Sequence, residues 1–248
     1  TALGSYALSG NTSGASNTGL GRYAGKAITT GSNNVLVGKS AAAATTVGSD
    51  NTAVGTSALY TNVDGSRNTA IGTSALYYLE PASAVNMNNT AVGHDAGLRI
   101  TTGTANTAIG AQAMRCGSAD CTGSNNVAIG MYALDAATSA YNQIAIGTDA
   151  MGATTTGANS VAVGYYSLKT NTSGDNNTAV GYNSMEFNTT GSNDTGLGYK
   201  ALEANTTGSN NTAVGYYSLA ANTTGEDNVG VGHNTLTACT DGRRNVAI

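Results

Sequence analysis

Asn211 to Asn228 reads NTAVGYYSLAANTTGEDN, and Asn177 to Asp194 reads NTAVGYNSMEFNTTGSND, nearly the same words in the same order. The glycine that closes each NTAVG-like phrase recurs along the chain. It stands at Gly4, Gly21, Gly38, Gly55, Gly72, Gly93, Gly110, Gly130, Gly147, Gly164, Gly181, Gly198, Gly215 and Gly232. The spacing is 17 residues except for one interval of 21 and one of 20. A period of this kind marks a repeat architecture in which each unit buries its faces only against its neighbours. A second glycine follows ten residues later in most copies, as at Gly31, Gly48, Gly191, Gly208 and Gly225. The apolar segments between such turns are four to six residues long, too short for helices and suited to strands.

The columns of the repeat give an expected interior. The residue before the marker glycine is aliphatic throughout, from Leu3 and Leu20 to Val214 and Val231, and the residue four after it is apolar in most copies, as at Leu59, Met114 and Leu219. Both columns are expected inside. The small column Ala53, Ala70, Ala91, Ala108, Ala128, Ala145, Ala162, Ala179 and Ala213 is expected to form a flat face on which another chain packs closely. The fold class is therefore all-β, a parallel β-roll or β-solenoid of about fourteen 17-residue coils. It forms a single repeat domain over 1–248, with insertions near 76–89 and 114–126. At about 4.8 Å per coil the stack would reach about 67 Å. The chain starts and stops within repeats, the pattern expected of a fragment of a longer fibrous protein.

Composition sets limits on function. Leu, Ile, Val and Phe supply 38 of 248 residues, a thin core for one chain, so self-association through repeated faces is expected. The formal charge is −4, with no basic cluster of the kind that binds nucleic acid or an anionic membrane. No apolar run is long enough for a membrane-spanning helix.

The phrases NTAVGYYSL, NTAIGTSAL and NVAIGMYAL resemble the head repeats of trimeric autotransporter adhesins. Units of the form NTAVGYxSL…NTTGxxN are similar to those of trimeric phage tail fibres. The resemblance implies a left-handed parallel β-roll, three identical chains packed side by side, and an extracellular place on a virion tail fibre or a bacterial cell surface. The resulting expectation is a structural fibre or adhesin segment, a homotrimer that contributes to binding a host-surface glycan or protein. A self-assembling filament or sheath protein is an alternative. An ice-binding solenoid is another, set against by the valines and isoleucines that interrupt its threonine column, such as Val35 and Ile144.

Specificity is expected where the copying fails. The longer insertion contains Tyr77, Tyr78 and Glu80, candidates for surface binding. The residue after the marker glycine varies most, and Tyr165, Tyr182, Tyr199 and Tyr216 would form a four-rung exposed ladder there. That ladder is either a stacking surface for sugar or protein, or cross-rung packing that stabilises a narrow sheet. Cys116 and Cys121 lie in the second insertion, where they form either a small disulfide clip or a pair of buried thiols; Cys239 has no partner nearby in sequence.

No catalytic, cofactor or metal site is expected. His94 and His233 lie in different coils, and Asp95 beside His94 is expected to point to the opposite face, as neighbours do in a strand. The glycines punctuate repeats and precede no helix. The NTS and NTT sequons at Asn11, Asn171, Asn188, Asn205 and Asn222 are read as turn chemistry.

Overall fold

The computed structural model describes residues 1–81, 83 and 85–248; of the insertion expected over 76–89, positions 82 and 84 lie outside the described residues. It has two compact units, Thr1–Asn125 and Asn126–Ile248. The first carries β1 (Ala2–Leu3), β2 (Thr18–Leu20), β3 (Val35–Val37), β4 (Thr52–Val54), β5 (Thr69–Ile71), β6 (Thr90–Val92) and β7 (Thr107–Ile109). The second carries β8 (Val127–Ile129), β9 (Ile144–Ile146), β10 (Val161–Val163), β11 (Thr178–Val180), β12 (Thr195–Leu197), β13 (Thr212–Val214), β14 (Val229–Val231) and β15 (Val246–Ala247). Within each unit every strand pairs in parallel with the next one in sequence. In the first, Thr52, Ala53 and Val54 align with Thr69, Ala70 and Ile71. In the second, Thr178, Ala179 and Val180 align with Thr195, Gly196 and Leu197. The molecule is an all-β parallel solenoid of about fourteen coils, with no helix among the described residues.

The strands are at most three residues long, shorter than the four to six expected. What lies between them is also hydrogen-bonded from coil to coil, through single left-handed residues. Ser57 (φ 56°), Leu59 (φ 56°) and Arg67 (φ 61°) are the three in one coil. The Ser57 N–H donates back to Lys39 O at 2.9 Å, and the Leu59 N–H donates forward to Ala75 O at 2.9 Å. Each left-handed residue turns the chain while keeping its peptide groups paired with a neighbouring coil. The marker glycine is needed for a different reason. Gly38 has φ +129°, and a Cβ there would lie 2.6 Å from Gly55 O of the next coil. The backbones touch at this corner and leave no room for a side chain.

A three-residue strand sends its middle side chain one way and its flanking pair the other. Ala53, Ala70, Ala91, Ala162, Ala179 and Ala213 are the middle residues and are fully buried. They face inward, toward the apolar column that includes Leu59, Leu76, Met151, Leu168 and Leu219, which is buried as expected. The aliphatic column before the marker glycine was expected inside and instead lies outside. Leu20 is 42% exposed, Ile71 39% and Val180 38%, and the others are partly exposed. The roll is too thin to take a large side chain on both walls, so alanine faces leucine within and the valines point out. The alanine column consequently cannot be the face that receives another chain.

Asparagine fills the remaining wall. Four residues before the marker glycine, Asn34, Asn51, Asn68, Asn177 and Asn211 are all buried. Asn34 Nδ2 donates to Gly48 O at 3.0 Å, while its Oδ1 accepts from the Asn51 N–H at 3.0 Å. The pattern repeats at Asn51, whose Nδ2 reaches Gly65 O at 2.9 Å and whose Oδ1 accepts from the Asn68 N–H at 3.0 Å. In the second unit the sequon asparagines make another ladder. Nδ2 of Asn188, Asn205 and Asn222 donates to Oδ1 of the asparagine one coil before, at 3.1, 3.0 and 2.9 Å. Asn171, Asn188, Asn205 and Asn222 are completely buried, so these sequons are interior structure as well as turns. Asn11 alone of the five is exposed.

Candidate interaction surfaces

Chemistry on the surface of such a roll is set by register, because residues 17 apart stack. Tyr165, Tyr182, Tyr199 and Tyr216 form the expected ladder. Their ring centroids are 5.3, 5.4 and 5.1 Å apart and nearly parallel, at 14°, 10° and 11°. All four are exposed. His233 continues the column with its ring 5.0 Å from Tyr216 and tilted by 3°. Tyr166 and Tyr217, the next residues in their coils, add rings at the flank, with Lys169 Nζ 3.6 Å from the Tyr166 centroid.

Polar groups line one side of this ladder. Lys200 Nζ lies 2.8 Å from Glu203 Oε1, and that hydrogen bond raises the lysine pKa. Asn183 Nδ2 donates to Glu186 Oε2, and burial raises the Glu186 carboxyl above its ordinary range. Planar rings, amides, carboxylates and ammonium groups thus share one face of the second unit.

The first insertion builds a second aromatic cluster. Tyr77 stacks on Tyr60 at 4.9 Å and meets Tyr78 edge-on at 4.7 Å. Burial raises the Tyr77 phenol pKa. Glu80 is exposed, and its backbone N–H is fixed to Thr101 O at 3.0 Å. Arg99, which the sequence reading passed over, ties the cluster to the second insertion. Its guanidinium lies 5.0 Å from the Tyr78 centroid, Nη2 is 3.0 Å from Asp120 Oδ1, and Nε donates to Ala119 O at 3.2 Å. Arg99 and Tyr78 occupy the same place in successive coils, as Tyr60 and Tyr77 do, so counting by register would have found both pairs.

The two cysteines of that second insertion are buried thiols in the structure, with no disulfide between them. Cys121 belongs to the wall of the roll, where it pairs with Ile100 across a parallel bridge. Cys116 has a left-handed backbone, φ 68°, and its Sγ donates to Met114 O at 3.2 Å. Each thiol occupies an interior place of its own.

His94 and Asp95 also differ from expectation. Asp95 has φ 54° and lies in a corner rather than a strand, so strand alternation does not apply, and His94 Nδ1 sits 3.4 Å from Asp95 Oδ2. No protein-family model matches the chain, and no curated protein matches it.

Proposed function

We propose that this chain is a segment of an extracellular structural fibre or adhesin, a homotrimer that stiffens the fibre and contributes binding surface, with no catalysis of its own. The observation that carries the reading is the outward aliphatic column. Leu20, Val37, Val54, Ile71, Val92 and Ile109 follow one another up the first unit. Ile129, Ile146, Val163, Val180, Leu197, Val214 and Val231 do so in the second. Each neighbour across the strand is a threonine, valine or isoleucine, as at Val35, Thr52 and Ile144. A contiguous apolar face of this length marks an interaction site. Identical columns on identical chains match one another in register, and closed symmetry is the common outcome. The resemblance of the repeats to trimeric tail fibres and adhesin heads supports three chains, set on a virion or a bacterial surface.

Sedimentation equilibrium tests the reading. A concentration-independent trimer is the expected result, an open polymer would favour the filament or sheath alternative, and a stable monomer would overturn self-assembly.

A further inference from the structure

The first unit contains a cavity of about 360 Å³ lined by Tyr23, Lys26, Ser40, Ala43, Ala44 and Tyr60. Its origin is a missing rung. Two residues after the marker glycine the column runs Tyr6, Tyr23, Ser40, and the first two rings stack at 5.4 Å. Five residues after the glycine it runs Lys26, Ala43, Tyr60, Tyr77, and the last two rings stack at 4.9 Å. Both stacks stop at the same coil, where Ser40, Ala43 and Ala44 are small. The coils of Tyr23 and Tyr60 are two strand spacings apart, about 9.5 Å. Tyr23 stands two residues after its marker glycine and Tyr60 five after, so the two rings belong to neighbouring columns and border the notch on two sides, leaving room over Ser40, Ala43 and Ala44 for a six-membered ring.

Lys26 is the charged residue of the lining, no acid lines the notch, and Arg22 and Lys39 are the chain neighbours of Tyr23 and Ser40. Arg22, Lys26 and Lys39 are the charged side chains of the first 49 residues, and the first acid is Asp50. The other seven cations and the remaining thirteen acids lie beyond Asp50. Arg22 Nη2 donates to the Tyr23 hydroxyl at 3.0 Å, and Lys26 Nζ lies 5.2 Å from the Tyr23 centroid. The hydrogen bond and charge of Arg22 lower the Tyr23 phenol pKa.

We propose that this notch binds an acidic saccharide, one pyranose ring occupying the place between Tyr23 and Tyr60 while its carboxylate meets Lys26 and Lys39. Tyrosine faces take the apolar C–H side of the ring, Ser40 offers a hydroxyl, and the ammonium groups select the anion. This extends the surface-binding part of the proposed function to a site of its own and needs only one chain.

The test is calorimetric titration of the full chain with glucuronate-containing and N-acetylneuraminate-containing oligosaccharides, against neutral oligosaccharides of equal length. Acidic ligands should bind about tenfold tighter than neutral ones. Added salt should weaken them. Either acidic ligand supports the site, and the tighter of the two names its source. Ser40→Tyr, which extends the Tyr6–Tyr23 stack into the notch, should abolish binding, and the surface change Lys26→Ala with Lys39→Ala should remove the preference for charge. Equal affinity for neutral ligands, no binding at all, or undiminished binding by Ser40→Tyr would overturn the proposal. Sedimentation of the same samples reports assembly separately, so a failed trimer and a failed saccharide site are distinguishable.

Discussion

Oδ1 of Asp194 accepts a 2.7 Å hydrogen bond from the backbone N–H of Asn211, the same bond that an asparagine Oδ1 makes at the other rungs of the wall. Oδ2 accepts from Asn205 Nδ2 at 3.2 Å, and Asp194 is fully buried. At the neighbouring rungs Asn177 and Asn211, this second position is an amide nitrogen that donates to a glycine carbonyl, Gly191 O or Gly225 O. An ionised carboxylate has no proton to donate there, whereas a protonated one reproduces the amide.

The first prediction is a stability that falls as pH rises. Burial raises the Asp194 pKa from 3.8 to about 7, against the bonds from Asn211 and Asn205 that pull it down. Between those two values the folded chain holds a proton that the unfolded chain has released, so stability decreases across that interval and levels off above it. The loss from this group is on the order of 2–4 kcal/mol. Asp194→Asn supplies the donor without the charge. Melting temperatures at pH 4.5 and pH 8 should differ in wild type, and the variant should lose that part of the difference and melt higher at pH 8.

The asparagine wall should be intolerant of truncation. Asn51→Ala leaves the Asn68 N–H unpaired in the interior, at roughly 1–3 kcal/mol, and removes one of the two bonds to Gly65 O, which keeps its bond from Asn62 Nδ2. Denaturant titration is expected to show this as a lower midpoint. Thr207→Ala, at an exposed residue outside the left-handed corners, should have little effect.

Assembly should fail when charge enters the outward column. Val180 and Leu197 are partly exposed in one chain, so Val180→Glu with Leu197→Glu should leave the β-rich circular dichroism spectrum intact. Identical chains would bring these carboxylates together in an apolar face, and sedimentation should then show monomers. A trimer that survives both substitutions would place the subunit contact elsewhere.

Tyr199→Ala removes three ring pairs, stacked at 5.4 Å to Tyr182 and 5.1 Å to Tyr216 and edge-on at 5.5 Å to Tyr217. Such pairs are worth about 0.5–1.5 kcal/mol each. Denaturant titration should show a stability loss of about 1–4 kcal/mol while the oligomeric state stays unchanged. Loss of attachment to a cell surface beyond that small destabilisation would assign the ladder a binding role as well as packing.

Spacing made the coil legible in the sequence, and it placed the tyrosine ladder correctly because register alone decides which rings meet. Direction was harder to read. Val54 outranks Ala53 in hydrophobicity, yet Ala53 is the inner residue, because Leu59 already fills the roll from the other wall. Asparagine misled differently. Asn188 bonds the Gly191 carbonyl of its own turn at 3.0 Å and also Asn171 Oδ1 one coil before, so turn chemistry and interior ladder use the same residue. The substitutes in the main wall carried the clue. Gln143, Ser160 and Asp194, where asparagine is missing, all retain a side chain that bonds to backbone. The insertions were visible as slips of the ruler, but Arg99, which joins them, was visible only by register.

The left-handed residues bear on how the chain reaches this state. Tyr166, Leu168 and Asn176 turn one coil with φ of 57°, 50° and 56°, conformations that each cost a lone chain about 1–2 kcal/mol. Their peptide groups recover that cost only by bonding to coils already in place above and below. A first coil is therefore the difficult event, while each later coil settles against a finished edge that dictates its path. Refolding should show a lag followed by steady advance, as when a crystal grows from its seed.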